Sequence, residues 1–221
     1  MSFRQRFTAT AFATLCGSLL LPAATAEAAP PSPGIAVSGR ASTGHVAIGG
    51  SVELTGRVTS DGTGRPLPVT VLAHTAGGPA GYQKVAQVLA DADADYRITV
   101  KPRANTSYIA EVRGFLARAA SEPVEVTVDR TITLDAPPQA PDDRSTVFSG
   151  TVTGGGRQPV ELQRLDGDQW SPVASASTDD TGQFAIPVRL DHHTASRWRA
   201  TTPATAALGP GTSPALLVRP S

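Results

Sequence analysis

Aspartates recur at alternate positions in Asp91-Ala-Asp93-Ala-Asp95, a spacing that places carboxylates on one side of an extended chain and suits a hard cation such as calcium. A helix-loop-helix calcium loop starting at Asp91 needs glycine at its sixth place and glutamate at its twelfth, where this chain has Tyr96 and Pro102. Further along, Asp179-Asp180-Thr181-Gly182-Gln183 occupies the matching place, so the plain reading of both stretches is an Asp-rich hairpin turn. Whether Asp91, Asp93 and Asp95 also take calcium is left open by the sequence. Asp191-His192-His193 has the residue types of a metal site. Adjacent histidines on a strand point to opposite faces, and no third ligand follows at a recognisable spacing. A solvated loop is expected there, and His45 and His74 stand alone.

Nucleophilic catalysis has no carrier. There is no Gly-x-Ser-x-Gly elbow, and Gly154-Gly155-Gly156 lies between strand patterns with no helix after it to cradle a phosphate. A glycosidase carboxylate pair leaves no spacing signature and would need a cleft. No catalytic residue, cofactor or metal is therefore expected, and the chain reads as non-enzymatic. Tyr82 and Trp170 remain, both opening a strand at matching positions. Aromatics on a flat sheet are how carbohydrate-binding sandwiches stack on sugar rings. Equally, each precedes a valine three residues on and is placed to cover the edge of a core.

These residues sit on a pattern that occurs twice. Leu54-Thr-Gly56-Arg-Val58, Pro68-Val69-Thr-Val71, Tyr82-Gln-Lys-Val85 and Asp95-Tyr96-Arg-Ile98-Thr-Val100 are echoed by Phe148-Ser-Gly150-Thr-Val152, Pro159-Val160-Glu-Leu162, Trp170-Ser-Pro-Val173 and Gln183-Phe184-Ala-Ile186-Pro-Val188. The offset is nearly constant at about 90 residues, which marks an internal duplication. Within each copy the apolar residues alternate with polar ones: Ile35 and Val37, Val69 and Val71, Val124 to Val128 in the first; Ile132 and Leu134, Leu216 to Val218 in the second. Short period-two runs bounded by Gly, Pro, Asp and Asn predict half-buried antiparallel strands. The 21 Gly and 19 Pro suit many turns better than helices. Seven or so such strands per copy predict an all-β chain of two tandem immunoglobulin-like antiparallel β-sandwiches after a signal peptide.

The start of the chain reads as that signal peptide. Arg4 and Arg6 precede an apolar run from Phe7 to Leu21, and small residues follow Pro22. Cleavage is expected after Ala26, with Ala28 as the competing site. That gives residues 1–26 as the leader, 27–33 as a flexible arm of Ala, Pro and Ser, 34–128 as the first sandwich and 129–221 as the second. The apolar run is too short to span a bilayer, and no membrane span is expected in the mature chain. The single cysteine, Cys16, leaves with the leader, so no disulfide is available. Formal net charge is +0, slightly acidic once Arg4 and Arg6 are gone, which does not favour nucleic acid.

Two further features follow from the sandwich. Tyr108 and Trp198 fall where the sixth strand begins, where an aromatic in such domains often closes a corner. Ala110 and Ala200 fall two residues later, and Gly56 and Gly150 on an inward parity of the second strand, so small residues are expected to face each other across the sheets and leave room for an aromatic. Ser51-Val-Glu-Leu-Thr-Gly-Arg-Val58, Trp170-Ser-Pro-Val173, Gly182-Gln-Phe184 and Trp198-Arg-Ala200 resemble the Ig-like repeats of secreted actinobacterial proteins, which serve as spacers, adhesive modules and appendages to enzymes. The resemblance implies a secreted binding or structural module, extracellular or loosely wall-associated. Its expected partner is an extracellular protein, by contact or spacing at the cell surface, or alternatively a glycan. A hydrolase or protease inhibitor is the remaining alternative and has no motif behind it.

Overall fold

The computed structural model describes residues 34–60, 67–114, 118–136, 145–190 and 195–219. The expected leader and arm, and Asp191, His192 and His193, lie outside these residues. Among the described residues the regular structure is all strand: β1 (Ile35–Val37), β2 (Arg40–Ala41), β3 (His45–Ala47), β4 (Val52–Ser60), β5 (Pro68–Thr75), β6 (Gln83–Leu89), β7 (Asp95–Val100), β8 (Thr106–Arg113), β9 (Arg118–Ala120) and β10 (Val124–Asp129) in the first copy, then β11 (Ser145–Thr151), β12 (Pro159–Asp166), β13 (Gln169–Ser177), β14 (Gln183–Arg189), β15 (Ser196–Thr202), β16 (Gly211–Thr212) and β17 (Leu216–Val218) in the second. None of the described residues forms a helix long and apolar enough to cross a membrane.

In the first copy β1, β2 and β7 all pair with β4, and the facing sheet runs β3-β10-β8-β5-β6 with β9 on β8. The opening segment switches sheets: β1 and β2 lie antiparallel to β4, whereas β3 lies parallel to β10. This is the immunoglobulin-like arrangement of two antiparallel sheets closed by a parallel edge. The second copy pairs β11 with β14 against a sheet ordered β13-β12-β15, with β16 and β17 on β15. Residues 132 and 135 bridge to Val152 and Ser149, taking the place of β1 and β2.

Alternation explains what is inside. Val52, Leu54 and Val58 of β4, Val69, Val71 and Ala73 of β5, and Val126 and Val128 of β10 are buried, while the odd-numbered residues of β4 and the alternate residues of β5 and β10 face out. The second core gathers Phe148, Leu162, Ile186 and Trp198, with the Phe148 and Trp198 rings 4.8 Å apart. Trp198 is a core residue, and its indole N–H donates to Ser196 Oγ at 2.9 Å within its own strand, so it packs the core in place of closing the expected corner. The expected room beside the small residues exists, but its occupant comes from the neighbouring strand. Gly56 pairs directly with Tyr96, Gly150 with Phe184, and these aromatic rings fill the space a Cβ would take. The hydroxyl that ties a sheet to an upstream carbonyl is also that of Tyr96, which donates to Ser38 O at 2.8 Å. Tyr108 is buried in the core, and the corner tie passes to Tyr96 because its ring lies over Gly56, beside the opening strand.

The copies join without a spacer. Arg130 follows β10 directly and is 4% exposed. Its guanidinium donates to the carbonyls of Pro203 at 3.1 Å and Gly209 at 2.7 Å and to Thr205 Oγ1 at 3.0 Å, all in the loop after β15. From the first copy, Asn105 reaches the same loop: its backbone N–H donates to Ala207 O, its side-chain amide to Ala206 O, and its Oδ1 accepts from Val128 N. Gly209 N donates to Val128 O. Main-chain groups that a flexible linker would leave to water are thus paired within the joint.

Candidate functional site

Parity along β15 puts Trp198 and Ala200 inward and Arg197 and Arg199 outward, and the same alternation in β12 places Glu161, Gln163 and Leu165, all half-buried, on the outer face. Trp170 pairs with Leu165 and so belongs to this outer face, where it is half-buried. The Arg199 guanidinium sits 4.3 Å from the centre of the indole, a cation–π contact. Arg199 Nε donates to Gln163 Oε1 at 2.7 Å, and Gln163 Nε2 donates to Glu161 Oε1 at 2.6 Å. One aromatic ring, one cation and a row of amide and carboxylate groups are therefore linked on the outer face of this sheet.

Tyr82 occupies the equivalent place in the first copy, one residue beyond the Gln83–Ala73 pair. Its hydroxyl is 2.9 Å from Ser107 Oγ, and its ring is 5.9 Å from that of His74, whose Nδ1 is 3.1 Å from Gly81 O. It too is half-buried. The structure does not bring Tyr82 and Trp170 together; each stands on its own sheet. Neither is coupled to the core through the valine three residues on. Val85 and Val173 are the extra residues of β-bulges, where the register slips between Val71 and Leu72 and between Leu162 and Gln163. Both are exposed, at 50% and 43%.

These bulges lie in β6 and β13, the edge strands of their sheets. Beside Val85 stands Lys84, and beside Val173 stands Pro172, which has no N–H to offer. Bulge, lysine and proline all obstruct the addition of another strand, so these two edges are protected.

Asp91 and Asp179 are turn residues. Asp91 Oδ1 accepts from the amides of Asp93 and Asp95, both at 2.9 Å, and Asp179 Oδ1 accepts from those of Thr181 and Gln183, also at 2.9 Å. The Thr181 hydroxyl and then the Gln183 amide, both donating to Asp179, hold its carboxyl below the usual range. Among the described residues no group of three or more His, Cys, Asp or Glu side chains is arranged to hold a metal. His45 meets Asp129, with Nδ1 3.0 Å from Oδ2.

Two features carry no local sequence signal. Glu111, on the outer side of β8, is 2% exposed and lies between Arg113 and Arg118, the latter at 2.7 Å. Burial raises its pKa, but the hydrogen bonds and charges of the two guanidinium groups outweigh that and leave it lowered. The other is a groove of about 510 Å³ on the outer face of β2, β4 and β7, lined by Arg40, Arg57 and Arg97 together with Ser38, Thr55 and Asp95. Its arginines come from three strands, and only the sheet register makes them neighbours.

No protein-family model matches the chain, and no curated protein matches it. Among solved structures it is similar to a tetra-tandem repeat from the extending region of a large adhesion protein, at 14% identity and a TM-score of 0.38, covering 85% of this chain and 49% of that one. It spans about half the length of that chain. It is also similar to the D0-D1 domain of intimin, at 13% identity and a TM-score of 0.33, covering 82% and 97% of the two chains. A third likeness is to a 1.5-MDa bacterial ice-binding adhesin described for host cell surface retention, at 13% identity and a TM-score of 0.30, covering 86% of this chain and 65% of that one.

Proposed function

We propose that this protein is a secreted, non-catalytic extracellular module that holds a fixed spacing or makes protein–protein contacts at the cell surface, with sandwiches at 34–128 and 129–221 behind a cleaved leader. The joint carries this reading. A spacer must keep its ends in a set relation, and here the connection is buried and hydrogen-bonded through Arg130 and Asn105 to the loop after β15. The protected edges of β6 and β13 support it further, since a surface module must display its faces without pairing to its neighbours.

A second reading, glycan binding, is favoured by one observation: Trp170 lies on an outer sheet face beside Arg199, Gln163 and Glu161 and not in the core. One experiment separates the two. The chain from residue 27, which holds every described strand, is passed over purified cell walls and over immobilised surface-protein extract, with Trp170→Ala alongside. Retention on the protein extract alone supports spacing and contact. Retention on walls that Trp170→Ala abolishes selects the glycan reading in its place.

A further inference from the structure

The groove of the first copy differs from its counterpart in the second in a way the fold does not require. Thr55 pairs on one side with Arg40 of β2 and on the other with Arg97 of β7, and Arg57 pairs with Asp95. In the second copy Ser149 takes the place of Thr55, bridging to Asp135 and pairing with Ala185, while Thr151 pairs with Gln183. The same sheet is thus built twice, once with arginines at these three positions and once with Asp135, Thr151 and Ala185 in their places, the outward Arg189 lying at the far end of β14 beside Ser145. The duplication acts as an internal control: pairing, burial and twist are satisfied without these cations.

Nor are the arginines committed to strong internal partners. Arg57 Nε meets Asp95 at 3.1 Å and Arg97 meets Glu53 at 3.2 Å, with Arg57, Asp95 and Arg97 well exposed and Glu53 half-buried. Exposed ion pairs of this kind contribute about 0–1 kcal/mol and exchange readily for an outside anion. Arg40 Nε donates to Thr55 Oγ1 at 3.1 Å, and no carboxylate among the described residues pairs with it. Arg40 and Arg97 flank Thr55 on neighbouring strands, so their backbones stand about 10 Å apart. Each offers a planar fork suited to a carboxylate.

We propose that this groove binds an acidic polysaccharide, one whose sugar rings carry carboxylates, with Arg40 and Arg97 each taking a carboxylate of the chain. Ser38 and Thr55 supply hydroxyls, and Asp95 accepts from a sugar hydroxyl. The one aromatic at the site, Tyr96, is 4% exposed and offers no face for a base to stack on. The site is separate from the Trp170 face and does not depend on the spacing role.

Affinity electrophoresis of the chain from residue 27 tests the assignment, with polygalacturonate in the gel. Its fully methyl-esterified form and single-stranded DNA serve as comparison polymers. The expected result is retardation by polygalacturonate only, weakened at least tenfold in Arg40→Gln/Arg97→Gln and unchanged in Trp170→Ala. Both arginines are exposed, and an unchanged melting temperature confirms that the double variant is folded. Arg57, which also bonds Asp93 O, is left in place. The proposal is overturned by no retardation, by equal retardation in the double variant, by equal retardation with the ester or DNA, or by loss in Trp170→Ala.

Discussion

Gly56 and Tyr96 face each other as a direct cross-strand pair between β4 and β7, and a Cβ on residue 56 would come within 2.6 Å of the tyrosine ring. Gly150 and Phe184 repeat the relationship at 2.8 Å. In each case the opposite side is closed by a backbone carbonyl, of Ser38 or Thr133, which cannot move like a side chain. Gly56→Ala and Gly150→Ala should each cost about 1–3 kcal/mol or more as overpacking, read as a lower midpoint in denaturant melts. A loss under a few tenths would show that the rings are not packed on these glycines.

Ala94 and Gly182 hold the same turn position, with φ of 64° and 87°. An alanine there adopts a left-handed backbone that glycine adopts without strain. Ala94→Gly should therefore raise stability by about 0.5–1 kcal/mol, net of glycine's greater unfolded-state entropy. The reverse change, Gly182→Ala, should destabilise, because its Cβ would also run into Val152 O. Thermal melts of the two variants should shift in opposite directions.

Arg130→Ala removes a buried cation and leaves the carbonyls of Pro203 and Gly209 without their donor. A loss of about 2–4 kcal/mol is expected, since unsatisfied buried groups and charged hydrogen bonds each count for 1–3. Asn105→Ala frees the loop from the other side without touching either core. In calorimetry the Asn105 variant should show two separable transitions where the unaltered chain shows closer coupling. A single unchanged transition would mean that the joint does not couple the copies.

Two titrations carry opposite signs. The Glu111 carboxyl is held below its ordinary 4.5, so its contribution is present above that pH and is lost as pH falls through the lowered value. The melting-temperature gap between the unaltered chain and Glu111→Gln should hold from pH 7 to 5 and narrow below 4.5. Burial pushes the Tyr96 hydroxyl up to about 12, so its contribution is full below 10 and is lost as pH rises toward 12. Tyr96→Phe should flatten that alkaline limb.

The period-two runs revealed the strands and the duplication because burial on one face stamps an alternation that needs no partner to be read: Val52, Leu54 and Val58 are inward in the structure as in the pattern. Trp170 is where that reading loses its phase. Val173 is a bulge residue, so Trp170 faces out while Ala174 and Ala176 beyond it pack on the core. A one-residue insertion in a strand shifts every later side chain to the other face, and nothing in the local sequence marks it. Arg40, Arg57 and Arg97 were unreadable for a different reason, since their adjacency is set by pairing between β2, β4 and β7 across long stretches of chain. The burial of Arg130 likewise depends on a loop more than seventy residues away.

The absence of a spacer between the copies bears on how the joint meets a peptidase. A peptidase must draw its substrate into the cleft as a free, extended strand, which is why exposed tips and linkers are cut first. Here β10 is held by β3 and β8, Arg130 bridges to Gly211, and Ile132 and Asp135 bridge to the strand beyond. The stretch at which tandem modules are usually clipped apart is already engaged on both sides, so a peptidase finds no free strand between residues 124 and 135 at which to part the two sandwiches.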